Sequence, residues 1–180
     1  SYFESLVSPL AATGNIKPRD IVGLTVTDEQ VDILVSKLKS DSRHYFFKGV
    51  FSLLNALNSL NHNLYSCATV KLYYSVFYLL RSSLSIKGFG VLRYGRDAFF
   101  LANGNNSFQK MDGLHKSDHK GVIYLQSKYF GTSDKLLQST IEGMSVYYWM
   151  MDKREFVNYK HKTFFEPEHT QFWEEIHSIG

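Results

Sequence analysis

The chain has 180 residues, a hydrophobic fraction of 44%, an aromatic fraction of 16% and a formal net charge of +3. That is enough apolar material to bury one core, which excludes general disorder, and too little charge to indicate nucleic-acid binding by itself. The lone Cys67 excludes an intramolecular disulfide framework and a cysteine-based zinc site, and it fits a reducing compartment. No apolar run approaches the ~18–20 residues that span a bilayer, and no secretory signal pattern is present. A cytoplasmic protein with no membrane partner is therefore expected. The chain begins at Ser1 rather than Met, which points to a processed product or a fragment.

Residues 1–26 are broken by Pro9, Gly14, Pro18 and Gly23 and read as an arm packed on the body without a core of its own. The body is expected to span 27–180. Thr27 and Gln30 have the spacing of a capping box, and the helix they open carries Val31, Ile33, Leu34 and Leu38. Ser40 or Asp41 is expected to start a separate, longer helix to about Asn61. Its Phe46, Phe47, Val50, Leu53, Leu54, Leu57 and Leu60 recur at three and four, which predicts a stripe facing the core. Residues 64–86 predict a third helix, apolar on most sides, with Gly88 just past its end. Such a helix belongs at the centre of a bundle or at a subunit interface, and Cys67 on it reads as a small core residue.

Residues 89–111 change character. Short strand-like runs at 91–94, 98–101 and 107–111 are separated by Gly95-Arg96-Asp97 and Asn103-Gly104-Asn105-Asn106, which predicts a small β-meander inserted between helices. Lys87, Arg93, Arg96 and Lys110 lie in or beside it with Tyr94, Phe99, Phe100 and Phe108. Two readings remain open for that mixture: phosphate pairing with base stacking on single-stranded nucleic acid, or aromatics that pack the insert onto the bundle while the cations are solvated. After a loop, Ser117 or Asp118 is expected to cap a helix to Phe130, closed by Gly131. His115 and His119 are four apart with Asp112 and Asp118 nearby, but Lys116 and Lys120 are interleaved, so helix-start histidines are favoured over metal ligands. No metal and no cofactor are expected.

Ser133 predicts the start of a helical stretch to about His161, with an interruption near 139–143, and a short terminal helix over 168–179. Within that stretch the run Tyr147-Tyr148-Trp149-Met150-Met151 reads as core and dimer contact. Beyond it, Arg154, Asn158 and His161 follow at four and three. In an α-helix, seven residues return to within roughly 20° of the starting direction, so the three would share one stripe. A permanent cation, an amide and a group titrating near neutrality can together hold a phosphate and move a proton beside it.

Three segments resemble the HEPN superfamily of helical nucleotide- and RNA-associated domains. Tyr73-Tyr74-Ser75-Val76-Phe77-Tyr78-Leu79-Leu80-Arg81 followed by Gly88 is similar to the long family helix with paired aromatics and a closing glycine. Lys116-Ser117-Asp118-His119-Lys120-Gly121-Val122-Ile123, ending at Tyr129-Phe130, is similar to the start of its next helix. Arg154-Glu155-Phe156-Val157-Asn158-Tyr159 resembles the last-helix signature, and with His161 it matches the family's Arg-x(4–6)-His ribonuclease pattern. The resemblance covers roughly 64–165. It implies a mainly α, HEPN-like bundle and metal-independent RNA cleavage, with Arg154, His161 and Asn158 as catalytic residues. Tyr159, Lys160 and Glu155, with Arg93, Arg96 and Lys110 from the meander, are the expected substrate contacts. Nuclease members often carry Asn, Asp or His directly after the Arg, where this chain has Glu155. The resemblance further implies a homodimer with a composite Arg154/His161 cleft, and a toxin or phage-defence role with an antitoxin or a larger defence assembly as partner. A non-catalytic HEPN-like module binding RNA, a nucleotide or a partner protein is the alternative, and a helical fragment of a larger protein is a third reading.

Overall fold

At residue 27 the capping box forms: the Thr27 hydroxyl accepts from the Gln30 N–H at 3.2 Å, and the Gln30 side chain accepts from the Thr27 N–H at 2.9 Å. It starts helix α3 (Asp28–Asn61) in a computed structural model that describes residues 1–101, 106–111, 113–115 and 117–160. Before it lie α1 (Tyr2–Val7), a 3₁₀ segment (Ser8–Thr13) and α2 (Pro18–Val22). After it come α4 (Tyr65–Ile86), the strands β1 (Leu92–Tyr94), β2 (Asp97–Leu101) and β3 (Phe108–Lys110), and α5 (Asp118–Phe130). The chain continues through α6 (Lys135–Gln138), β4 (Thr140–Ile141), β5 (Met144–Ser145) and α7 (Val146–Glu155), then a π-helical turn (Phe156–Lys160). The molecule is mainly helical with a small antiparallel sheet.

The break expected at Ser40–Asp41 is absent, and α3 is one helix of 34 residues. No Gly or Pro lies between residues 24 and 48, and the Ser42 hydroxyl folds back onto the Lys39 carbonyl at 2.6 Å, so the polar residues there sit inside the helix without ending it. The stripe expected to face the core points largely outward instead: Phe46, Phe47, Leu54 and Leu57 are exposed, as is Phe51 beside them, whereas Val50 and Leu53 are half-buried and Leu60 packs against Tyr65 and Ala68. The buried face of this half of α3 is made of Ser42, Gly49 and Ala56, spaced at seven. These small residues let α3 approach α4 closely, and a β-carbon on Gly49 would stand 2.7 Å from Cγ of Leu79. Large apolar side chains would hold the two backbones apart, so they are displaced to the other side.

Helix α4 ends as expected. Gly88 has φ +81, its N–H bonds the Ser85 carbonyl, and the Phe89 N–H bonds the Leu84 carbonyl, which is a Schellman cap that only a glycine enters freely. The meander follows in the order β1–β2–β3, with Tyr94 opposite Asp97 across the two-residue turn Gly95-Arg96 and Phe99 opposite Lys110. Strand β2 is buried on both faces. Ala98 and Phe100 enter one core with Tyr73, Phe77, Leu84, Leu125 and Met150. Phe99 and Leu101 enter another with Phe3, Val7, Ile21 and Leu34. The N-terminal segment thus shares its core with the sheet and α3, and Thr25 bridges Ser107 at the sheet's end.

The stretch expected to be helical from Ser133 is divided. After α6, a β4–β5 hairpin turns through Glu142 (φ 52) and Gly143 (φ 76), positive values suited to a tight type I′ turn. This hairpin fills the interruption expected near 139–143 and sets the start of α7. Cys67 is exposed, against the expectation of a core residue, because it lies on the side of α4 away from buried Ser66 and Ala68. No described helix is long and apolar enough to cross a membrane. The turn at 103–105 and the terminal helix at 168–179 lie outside the described residues.

Candidate functional site

Helix α7 is fixed to the body by Asp134. One carboxylate oxygen caps α6 through the Leu136 and Leu137 N–H groups at 2.9 and 3.2 Å. The other accepts from the Gln126 amide at 2.6 Å and from the Tyr147 hydroxyl at 2.9 Å. One acidic side chain therefore ties α5, α6 and α7 together. Burial and this carboxylate both push the Tyr147 phenol well above its usual range, so it stays a donor. Tyr147, Met150 and Met151 are buried in the main core, as the aromatic–methionine run led us to expect. That anchoring carries the last turn of α7 back against the middle of α4.

Arg154 lands there on two tyrosines. Its guanidinium donates to the Tyr74 hydroxyl at 3.1 Å and lies 5.5 and 5.6 Å from the ring centroids of Tyr73 and Tyr74. Both distances are within cation–π range. The Tyr73 hydroxyl in turn lies 2.6 Å from Nδ1 of His119, at the start of α5. The His119 ring also packs on Phe77 at 4.4 Å between centroids. Burial, and then the Arg154 charge, lower the His119 pKa below its ordinary value of 6.5, so the imidazole is neutral near pH 7. Burial raises the Tyr73 pKa, which keeps the phenol protonated beside it. With the phenol donating to Nδ1, the ring proton sits on Nε2. With the phenol accepting, Nε2 is a bare base.

Three helices thus bring a fixed cation, a neutral imidazole and two phenols into one cluster. The same face of α4 continues with Tyr78, whose ring stacks on Tyr74 at 5.9 Å and lies under the Lys48 ammonium at 5.8 Å. One turn on, Arg81 lies 4.4 Å from the Tyr45 ring of α3. Past Arg81 and Asp118 opens a cleft of about 640 Å³ between α3, α4, β1 and the N-terminal segment. Cations on phenol rings therefore recur along the strip, at Arg154, Arg81 and Lys48. No ion pair is formed by Arg81 or Lys48 among the described residues.

The residues expected from the sequence are distributed unevenly over this site. Arg154 is at its centre, and Glu155 acts on it electrostatically, opposing the pull of Arg154 on both Tyr73 and His119. Asn158 is exposed on the π-helical turn. Because that turn closes wider rings than an α-helix, the α-helical spacing that would align Arg154, Asn158 and His161 stops at Glu155. His161 and the side chains of Tyr159 and Lys160 lie outside what the structure describes. The meander cations are elsewhere: Arg93 pairs with Asp118, Lys110 pairs with Asp97 at 2.8 Å, and Arg96 is exposed in the β1–β2 turn. Of the aromatics there, Phe99, Phe100 and Phe108 are fully buried, so they pack the insert and do not stack bases. His115 stacks on Tyr124 at 4.4 Å while His119 turns to Tyr73, and among the described residues no group of three or more His, Cys, Asp or Glu is placed to hold a metal ion.

His119, Tyr73, Tyr74, Tyr78 and Arg81 were not singled out as site residues from the sequence. Each nonetheless sits in a segment that carries the HEPN resemblance, and no local sequence signal joins them to Arg154, which Tyr73, Tyr74 and His119 reach only through tertiary packing. Comparison of the chain with family models, curated proteins and solved structures gave no match.

Proposed function

We propose that this chain acts on RNA through the Arg154–His119–tyrosine cluster, as a metal-independent endoribonuclease of HEPN type. The observation that carries the reading is the convergence of Arg154 and His119, 35 residues apart in sequence, on the paired rings Tyr73 and Tyr74. RNA cleavage of this kind needs a proton taken from the 2′-hydroxyl as its oxygen bonds the adjacent phosphorus. The phosphorus–5′-oxygen bond then breaks and the leaving oxygen takes up a proton, giving a 2′,3′-cyclic phosphate and a 5′-hydroxyl. Arg154 is suited to hold the non-bridging oxygens of the charged intermediate, because it is always protonated and its fork matches phosphate geometry. A neutral imidazole takes the first proton, and His119 offers one in the same chain, with His161 as the second candidate from the sequence pattern. Asn158 and Glu155 flank this edge as contacts for the substrate. The homodimer, the toxin or defence role and a neutralising partner belong to the proposal only as the resemblance implies them.

One observation favours the alternative, a non-catalytic module that binds RNA, a nucleotide or a partner protein: Arg154 is already seated on Tyr73 and Tyr74 of its own chain. The deciding assay incubates labelled single-stranded RNA with wild type, Arg154→Ala, His119→Ala and His161→Ala in excess chelator. Cleavage by wild type that is lost in Arg154→Ala and in either histidine variant supports the ribonuclease. A wild type that binds the RNA through Arg154 without cutting it supports the alternative. A wild type that does neither sinks the ribonuclease and the RNA-binding form of the alternative.

A further inference from the structure

We propose that the outward face of α3 is a homodimerisation surface on which a second copy of the chain packs antiparallel. Phe46, Phe47 and Phe51 are 50%, 69% and 68% exposed, and Leu54 and Leu57 are 60% and 50% exposed, all on one helix. At ~150–250 Å² for each aromatic side chain, this face offers on the order of 500 Å² of apolar surface. That lies in the upper part of the ~300–600 Å² range of the largest patch on a monomer, and it matches the ~60% apolar share of the ~800 Å² that each partner gives to a stable interface. The helix has no need of this face for its own chain, because it meets α4 through Ser42, Gly49 and Ala56.

The pattern on the face selects the partner and its direction. Phe47, Val50, Leu54 and Leu57 follow at three, four and three, the seam spacing of paired helices, with Phe46 and Phe51 at the flanks. The aromatic residues occupy its N-terminal half and the leucines its C-terminal half. An antiparallel copy sets the large end against the smaller one, placing Phe47 against Leu57 of the partner subunit and Val50 against Leu54 of the partner subunit. Charge agrees with that direction. Residues 49–70 contain no Asp, Glu, Lys or Arg, whereas Arg43 stands one turn before Phe47, and Lys48 is turned to the Tyr78 ring of α4. Parallel pairing would put the two copies of Arg43 side by side, and antiparallel pairing sets each against an uncharged end. Because each face is used by both copies, the contact closes on itself without forming a filament. On α4, Leu79 and Ser82 face α3 while Tyr73 and Tyr74 face α7. This dimer therefore leaves the two Arg154 clusters apart, is separate from any composite cleft, and does not depend on the RNA reading.

Sedimentation of the full chain over a range of concentrations is expected to show a species of twice the chain mass. Phe51→Glu with Leu54→Glu is expected to weaken association about 30-fold or more, with unchanged circular dichroism because both positions are exposed. For direction, Phe47→Cys and Leu57→Cys chains are mixed under oxidation in a Cys67→Ser background. Cross-links between unlike chains support antiparallel pairing, whereas cross-links only between like chains overturn it. A wild type that stays monomeric at high concentration overturns the dimer itself and leaves the face to residues 161–180 or to another protein.

Discussion

The Tyr73 hydroxyl lies 2.6 Å from Nδ1 of His119, joining the middle of α4 to the first turn of α5 beneath the Arg154 guanidinium. Three groups that differ in charge behaviour are thereby coupled. Arg154 is permanently cationic, Tyr73 is kept protonated by burial, and His119 is kept neutral by burial and by Arg154. A fixed cation can hold an anion, and a neutral imidazole beside it can accept a proton.

The lowered His119 pKa has a signed consequence for stability. In the unfolded chain His119 titrates near 6.5, so between that value and its folded pKa the unfolded state binds more protons. Stability is full above pH 6.5 and falls as pH drops from there toward the folded pKa. Arg81 also pushes the pKa down, while Asp118 and Glu155 push it up without reversing the result. Urea denaturation at pH 7.5 and 5.5 is expected to show a larger acid loss for wild type than for His119→Gln. Titration of the His119 ring by nuclear magnetic resonance should give a pKa below 6.5 that rises in Arg154→Met, and an unmoved pKa would contradict the coupling.

Gly49 controls how closely α3 and α4 approach. A β-carbon there would stand 2.7 Å from Cγ and 3.2 Å from the backbone nitrogen of Leu79, so relief requires movement of the helix and not of a side chain alone. Alanine gains up to ~1 kcal/mol in helix propensity but incurs an overpacking cost of about 1–3 kcal/mol. Gly49→Ala is expected to destabilise the protein by about 1–2 kcal/mol in chemical denaturation, and Gly49→Leu by more. A stabilised Gly49→Ala would show that the seam is looser than its geometry requires.

Much of the framework was legible because local chemistry decided it. Thr27 and Gln30 named the start of α3, Gly88 named the end of α4, and Gly95-Arg96 named the first turn of the meander. What misled was the assumption that large apolar residues at helical spacing face the core. On α3 the periodicity of Phe47, Phe51 and Leu54 is real, but a seam of Ser42, Gly49 and Ala56 lets α4 pack on the other side. Periodicity finds a face without saying what covers it. The site was half legible for a related reason. Arg154 could be found from its own helix, whereas Tyr73, Tyr74 and His119 reach it only through tertiary packing. The ion pairs of two meander cations were not legible either, because Asp118 and Asp97, which pair with Arg93 and Lys110, are not their sequence neighbours.

Asp134 is the residue whose loss should disconnect α7 from the body. It caps α6 and accepts from Gln126 on α5 and Tyr147 on α7. Removing the cap costs about 0.5–2 kcal/mol, and each hydrogen bond to a charged group contributes about 1.5–3 kcal/mol. Asp134→Ala is expected to lower stability by about 2–4 kcal/mol, because part of the loss is recovered by water. Tyr147→Phe removes a single bond and should cost about 1–2 kcal/mol. Hydrogen exchange should show faster opening of α6 and α7 in Asp134→Ala while α3 is unchanged. Uniform loosening across all helices would mean that α7 is held mainly by its buried methionines.

The cation–tyrosine strip along α4 makes a prediction that separates it from the meander. If single-stranded RNA follows the strip, Arg81 and Lys48 neutralise phosphates while Tyr45 and Tyr78 offer ring faces beside them. Each lost phosphate contact on a single strand should reduce the slope of log binding constant against log salt by about 0.7. Arg81→Ala with Lys48→Ala is therefore expected to flatten that slope by about 1.4. Lys110→Ala should leave it unchanged, because its ammonium is held by Asp97 at 2.8 Å. Arg93→Ala should behave likewise and cost under ~1 kcal/mol of stability, since the Arg93–Asp118 pair is partly exposed. Fluorescence anisotropy with labelled RNA at several salt concentrations reads all three. A slope that falls with the meander substitutions and not with those on the strip would move the RNA path to the sheet.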